Sequence, residues 1–400
     1  RNKKLTTKFG DKEQEMDPIA LTSEQEMFQK TCRSFATKEC PSTVLRELEK
    51  SELGYSPEHW KKMAELGWLG LIFPEEYGGI GGNFIDLAVL YEELGRNLVP
   101  SPHFASTVMG GLTLLGAGSE EQKKAILPKV AEGELNLTLA LLEEEAEYTA
   151  ESIKTKAVRQ GNAYVINGIK IFVPYAHVAN LILCAARTSI GKAKDEGISL
   201  FIVDAKNPGV SITPINIMGG EKVFEVNFKD ASVLESDLIG QEGKAWSVIQ
   251  DVLDKAKMAL SARMVGGALA TLEETIEYAK VRVAFGRPIG AFQANSFKLA
   301  ERATEIDGTK LLAYRAAWLI SEGLPFRKEA AMAKAYISDV YRRSTVDFVQ
   351  IHGGYGFMEE YDPQLYYRRA KAEEVFLGNN EDNRAVIAEY FPEYVEFRKQ

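Results

Sequence analysis

Cysteine and histidine are scarce. Three cysteines (Cys32, Cys40, Cys184) and four histidines (His59, His103, His177, His352) are scattered over 400 residues. None forms a C-x-x-C, H-x-x-x-H or H-E-x-x-H pattern. Those absences argue against a metal centre, and the odd cysteine count points to free thiols in a reducing compartment. No apolar run reaches the about 18 to 20 residues that span a bilayer. Positive charge is also short, with a net charge of −9. A surface built to neutralise duplex phosphates carries the opposite balance, so no nucleic-acid partner is expected. The chain starts RNKKLTTKFGDKEQEMD, charged and without an apolar signal core, and residues 1–16 are expected to be a flexible segment outside the fold. Free thiols and no signal fit a bacterial cytoplasm better than a mitochondrial matrix.

What is present is an ordinary globular composition, 45% hydrophobic and 26% charged, on a chain long enough for two or three domains. Residues 17–136 read as helices. Thr22/Ser23 followed by Glu26 predicts a capped start, and Leu21, Met27, Phe28, Cys32 and Phe35 recur at helical spacing. Pro57 suits a first turn, PEEYGGIGG a glycine-rich turn, and Ser119 with its early glutamates another cap. Residues 137–240 change to period-2 apolar runs such as AYVINGIKIFV and GISLFIVDA, with Asn167-Gly168 a hairpin signal. No helical spacers separate these strands, which predicts an antiparallel sandwich or barrel. Residues 241–400 return to long helical periods that suit a four-helix bundle. The expected class is α+β, with an N-terminal helical domain, a β-domain and a C-terminal bundle.

Several motifs then coincide in order and spacing. Arg282-Val283-Ala284-Phe285-Gly286-Arg287-Pro288-Ile289 leads to Phe292-Gln293. Gln350-Ile351-His352-Gly353-Gly354-Tyr355-Gly356-Phe357 leads to Glu360-Tyr361 and then Tyr367-Arg368. With PEEYGGIGG (74–82), VINGIKIFV (165–173) and VFEVNFKDASVLESDLIGQEGKAW (223–246), the chain resembles the acyl-CoA dehydrogenase family over nearly its whole length. The resemblance implies the same three-part fold and an FAD whose ring lies between β-domain and bundle, its ADP half reaching a neighbouring subunit. It also implies 2,3-dehydrogenation of an acyl-CoA thioester and electron delivery to an electron-transferring flavoprotein.

Carried over residue by residue, the resemblance places Arg282 on the FAD pyrophosphate, where a guanidinium offers paired donors. Phe285 supplies an aromatic edge, Gln293 and Gln350 polar contacts, and Gly353 and Gly354 close backbone approach. Phe172 and Asn379 fall at flavin contacts, and Lys257 at a family arginine near the acyl-CoA. Arg384 matches a family arginine of structural role.

The ring side departs from the pattern. The family's Thr-Glu-Pro-Gly-x-Gly-Ser-Asp-like loop is Leu142-Glu143-Glu144-Glu145-Ala146-Glu147-Tyr148 here, read as a solvated acidic loop. Trp-Ile-Thr-Asn becomes Phe172-Val173-Pro174-Tyr175, and Pro174 removes a hydroxyl and an N–H. The usual base in Ile-Tyr-Glu-Gly-Thr becomes Leu377, and Ala256 stands at the base position of other branches. A positioned base contributes about 10² to 10⁴ in rate, which neither residue supplies. Glu373 and Glu374 precede Leu377 by four and three positions and are candidates for a relocated base, provided that the segment is helical. Trp246, Met258 and Met264 are tunnel candidates, with core packing the expected role. What survives serves a neighbour's cofactor, and what is lost serves this chain's own ring and substrate. The expectation is a subunit paired with a complete homologue in a heterotetramer. Alternatives are an active homo-oligomer with a relocated base, or an oxidase or monooxygenase relative.

Overall fold

The computed structural model describes residues 20–191 and 193–391, so the expected flexible segment 1–16 lies outside the described residues. Six helices open the chain: α1 Ser23–Glu39, α2 Ser42–Lys50, α3 Pro57–Glu65, α4 Phe84–Arg96, α5 Leu112–Ala117 and α6 Glu120–Ala131. Side-chain caps set several starts. Ser119 begins α6 in a capping box with Gln122. The first box differs from the sequence expectation: Thr22 is the cap and Gln25, not Glu26, closes it. Gln25 is buried and also donates to Asp86 at 2.9 Å, which a glutamate could not do. Before α5 the chain runs through a π-helical turn, Phe104–Gly111.

Strands β1 Leu137–Ala140, β2 Lys156–Gln160, β3 Ala163–Pro174, β4 Leu181–Arg187, β5 Ile198–Asp204, β6 Val210–Ile215, β7 Val223–Leu234 and β8 Leu238–Ile239 form one sheet in the order β6-β7-β3-β2-β4-β5-β8, with β1 beside β4. Most pairings are antiparallel; β1–β4 and β2–β4 are parallel. The sheet encloses its own apolar core around Tyr164, Ile166, Phe201, Val226 and Phe228. The hairpin signal at Asn167-Gly168 is corrected. Those residues lie inside β3 at a register shift against β7, and the β2–β3 turn is at 161–162. Asn167 exchanges hydrogen bonds with Asp230 across the irregularity, and a Cβ on Gly168 would come within 2.3 Å of Thr155. The Asn-Gly pair thus serves a bulge.

Helix α7 (Trp246–Val281) is buried on most faces in its middle, because α4, α8 (Gln293–Ser321) and α9 (Arg327–His352) all pack on it. A two-stranded hairpin, β9 Val283–Ala284 and β10 Arg287–Pro288, joins α7 to α8, and α10 (Pro363–Val375) and α11 (Asn380–Ala388) close the bundle. Two buried glutamates on α4 lock the helical regions together. Glu93 takes two 2.8 Å bonds from Arg33, and Glu92 receives Lys310 and Tyr314, both at 2.8 Å. No helix among the described residues is long and apolar enough to cross a membrane.

His103 gives the N-terminal region a pH dependence. Its buried ring lies 3.0 Å from the Trp68 carbonyl and 2.7 Å from the Tyr91 hydroxyl. A carbonyl only accepts, so Nε2 carries the proton and Nδ1 accepts from Tyr91. Burial lowers its pKa to about 4. The neutral ring's stabilisation is complete above the unfolded value near 6.5 and is lost as pH falls towards 4. That loss is about 3 kcal/mol. Urea unfolding should show it in the native chain and not in His103→Gln.

Candidate functional site

Two hollows meet beside the loop after β1. A cleft of about 790 Å³ runs between that loop, α7 and the start of α11, lined by Tyr148, Trp246, Leu253, Asp254, Lys257 and Leu377 among others. A second hollow of about 460 Å³ is mostly apolar, walled by Phe104, Tyr148, Phe172, Pro174, Tyr175 and Phe376. Ala146 and Tyr148 line both. The second hollow contains the Phe172 and Pro174 positions that the family resemblance assigns to the flavin ring.

Both expected base positions are apolar. Leu377 is buried on the cleft wall with φ +60°, whereas Ala256 is packed in the core and does not line the cleft. The relocated-base candidates do not replace them. Helix α10 ends at Val375 and Phe376 is extended, so Glu373, Glu374 and Leu377 do not share a helical face. Glu373 is 3% exposed and lines the second hollow, with Oε1 2.8 Å from Arg263 Nε. Burial raises its pKa, against the pull of Arg263 and Arg369. Glu374 lines neither hollow and pairs with Lys371 at 2.6 Å and Arg342 at 3.5 Å.

The other sequence candidates are placed as follows. Asn379 is the cap of α11; its side-chain oxygen accepts from Glu381 and Asp382, and it borders the cleft, not the second hollow. Lys257 lines the cleft and bonds Asp254 at 2.9 Å. Burial raises the Asp254 pKa, opposed by Lys257 and Arg327. Trp246 lines the cleft, while Met258 and Met264 are core residues. Arg384 pairs with Asp339 at 2.8 Å. The loop read as solvated is partly anchored. Glu143 accepts from the backbone of Lys154 and Thr155 and from the fully buried Lys170 at 2.7 Å. Burial would raise its pKa, but Lys170 and these bonds hold it below the usual carboxylate value. Glu144, Glu145 and Glu147 remain exposed.

The nucleotide-half residues lie together at the far end of α7 and α9. Arg282, Gly353 and Gly354 line a hollow of about 470 Å³ with Tyr278 and His352, whose rings stack at 4.0 Å. A Cβ on either glycine would meet nothing within 4 Å, so the backbone there is open to a close ligand. This cradle and its guanidinium suit a pyrophosphate. Gln293, Gln350 and Phe285 are exposed and outside that lining. Phe285 and Gly286 are the two turn residues between β9 and β10, at φ +53° and +79°. Such a turn favours asparagine or glycine, yet it holds a phenylalanine that is 95% exposed.

A buried charge cluster escaped the sequence reading. Glu221 lies 2.9 Å from Arg263 and 3.5 Å from Arg369, and Arg263 also meets Glu373. The visible signal was Arg263 itself, a cation inside the apolar run ALSARMVGGALA. Among the described residues, no group of His, Cys, Asp or Glu could hold a metal ion.

Three family models match in succession: Acyl-CoA dehydrogenase, N-terminal domain (residues 22–134), middle domain (138–231) and C-terminal domain (243–391). The probable acyl-CoA dehydrogenase YngJ of Bacillus subtilis is 37% identical, with 92% of this chain and 98% of the relative covered. The caffeyl-CoA reductase-Etf complex subunit CarC of Acetobacterium woodii is 34% identical over the same shares. Among solved structures, a chain of the ChsE4-ChsE5 complex from Mycobacterium tuberculosis superposes with a TM-score of 0.86 at 27% identity, covering 94% of this chain and 99% of the other. Fold, motif order and these likenesses agree that the chain belongs to the acyl-CoA dehydrogenase family, FAD-dependent oxidoreductases acting on CH–CH bonds.

Proposed function

We propose that this chain is a subunit of a heteromeric acyl-CoA dehydrogenase, lending the ADP half of an FAD site to a homologous neighbour that carries the catalytic base. The observation that carries this reading is a contrast. A short hairpin presents Phe285 almost wholly to solvent beside the open glycine cradle, whereas the cleft has Leu377 where the reaction needs a carboxylate. Exposed apolar residues around the hairpin, Val281, Val283, Phe297 and Phe357, would be covered by such a neighbour.

In that assembly Arg282 donates to the pyrophosphate, the amides of Gly353 and Gly354 approach it, and Gln293, Gln350 and Phe285 face the nucleotide from the shared surface. FAD held there would accept the hydride from the β-carbon of an acyl-CoA in the neighbour's site. Lys257 and Asp254 give this chain's own cleft a polar wall. Electrons would leave through an electron-transferring flavoprotein, a partnership that the name of the Acetobacterium woodii relative carries. The ChsE4-ChsE5 likeness supports a two-chain assembly. The bacterial relatives favour a bacterial cytoplasm.

Affinity-tagged chain expressed in its native host should bring down a homologue that keeps glutamate at the Leu377 position. Recovery of this chain alone, in a form that dehydrogenates acyl-CoA, would sink the proposal. Asp254 is the one buried carboxylate on the cleft wall among the described residues. Single-chain turnover abolished by Asp254→Asn would therefore favour an active homo-oligomer.

A further inference from the structure

The second hollow has the size and aromatic lining for a flat ring, but three backbone amides and the Arg263 guanidinium beside it are already engaged. We infer that it does not hold an isoalloxazine, and that the Glu221–Arg263–Glu373–Arg369 cluster has replaced the ring as the tie between the β-region and the bundle. This rests on the heteromeric reading only in assigning the cofactor's ring to another chain.

The pyrimidine edge of an isoalloxazine is chiefly a row of acceptors, so its pocket must supply donors. Here three nearby backbone amides are engaged within the chain. The Ile171 amide bonds the Leu142 carbonyl at 2.9 Å, the Tyr175 amide bonds Lys222 at 2.9 Å, and the Ala146 amide bonds Glu143 at 2.8 Å. Pro174 has no N–H. The Arg263 guanidinium, 7% exposed, is held between Glu221 and Glu373. The buried Tyr175 hydroxyl and Arg263 Nε have no hydrogen-bond partner, but Nε sits 2.8 Å from the Glu373 carboxylate, and one hydroxyl cannot serve the whole edge. Two guanidiniums and two carboxylates leave the cluster without net charge, so Arg263 brings no free positive charge to an electron-rich reduced ring.

The cluster also does a mechanical job. Glu221 belongs to the segment between β6 and β7, Arg263 to α7, and Arg369 and Glu373 to α10. Arg369 further donates to the Gly219 carbonyl at 2.9 Å. The pairs cross the junction beside the hollow. The rim keeps an unusual backbone: Ala146, Phe172 and Tyr175 all have φ between +51° and +54°. Such conformations are costly for residues with side chains and gather at functional sites. The backbone therefore keeps the shape of a ring site whose donors have gone.

The test uses the full chain, folded by circular dichroism, incubated with excess FAD and desalted. The expected result is roughly a tenth of an equivalent of flavin or less, or flavin with a free-solution spectrum that ADP displaces. About one FAD per chain, with a shifted and structured visible band that resists ADP, would overturn the inference. A colourless chain that assembles only with itself would contradict the heteromeric reading and leave this inference standing.

Discussion

Alanine in place of Arg282 should weaken FAD retention by the assembled complex about 10²-fold, while the thermal unfolding of this chain stays unchanged. Charge-assisted hydrogen bonds contribute about 1.5 to 3 kcal/mol each, and a guanidinium can make two to a pyrophosphate. The side chain is exposed at the end of α7, and its backbone bonds to Tyr278 and Ile289 survive the change. Folding therefore has little to lose. Arg282→Lys should recover only part of the affinity, because a point charge lacks the paired donors. Equilibrium dialysis of FAD, with differential scanning calorimetry beside it, separates the two effects. Unaltered FAD affinity would mean that the cradle does not serve the cofactor.

A second large effect belongs to the buried cluster. Glu373→Ala should cost about 3 to 5 kcal/mol of stability, because it leaves the buried guanidiniums of Arg263 and Arg369 sharing one carboxylate, Glu221, with a positive charge in excess. Glu374→Ala, one residue on, should cost about 1 kcal/mol or less, because its partners Lys371 and Arg342 are part-exposed. Denaturant titration of the two variants measures the difference. The contrast also bears on chemistry: a relocated base at Glu373 would lose turnover in Glu373→Gln, whereas a structural pair loses stability. Equal stability of both variants would show that the cluster does not hold the junction.

The sequence exposed those parts of the site whose determinants are local. Arg282 to Gln293 is one continuous stretch, Gln350 to Gly354 another, and their spacing needed no tertiary information. The helix–sheet–helix order was legible for the same reason, since periodicity is read within each segment. The charge cluster was not legible, because its four members come from the β6–β7 segment, α7 and α10 and meet only after folding. Glu143 misled in the same way: in sequence it is one of several acidic neighbours, and only Lys170, on a distant part of β3, makes it a buried pair. Asn379 shows competition between roles, since the helix start beside the cleft needs its side chain as a cap. The placement of Glu373 and Glu374 depended on where α10 stops, and helix ends are the least certain feature of a sequence pattern.

Flavin stoichiometry in the complex isolated from the native host tests the central claim most directly. The account predicts roughly one FAD for every two chains, with this chain and its homologue in equal amounts. About one FAD for every chain, in an assembly made of this chain alone, would contradict it.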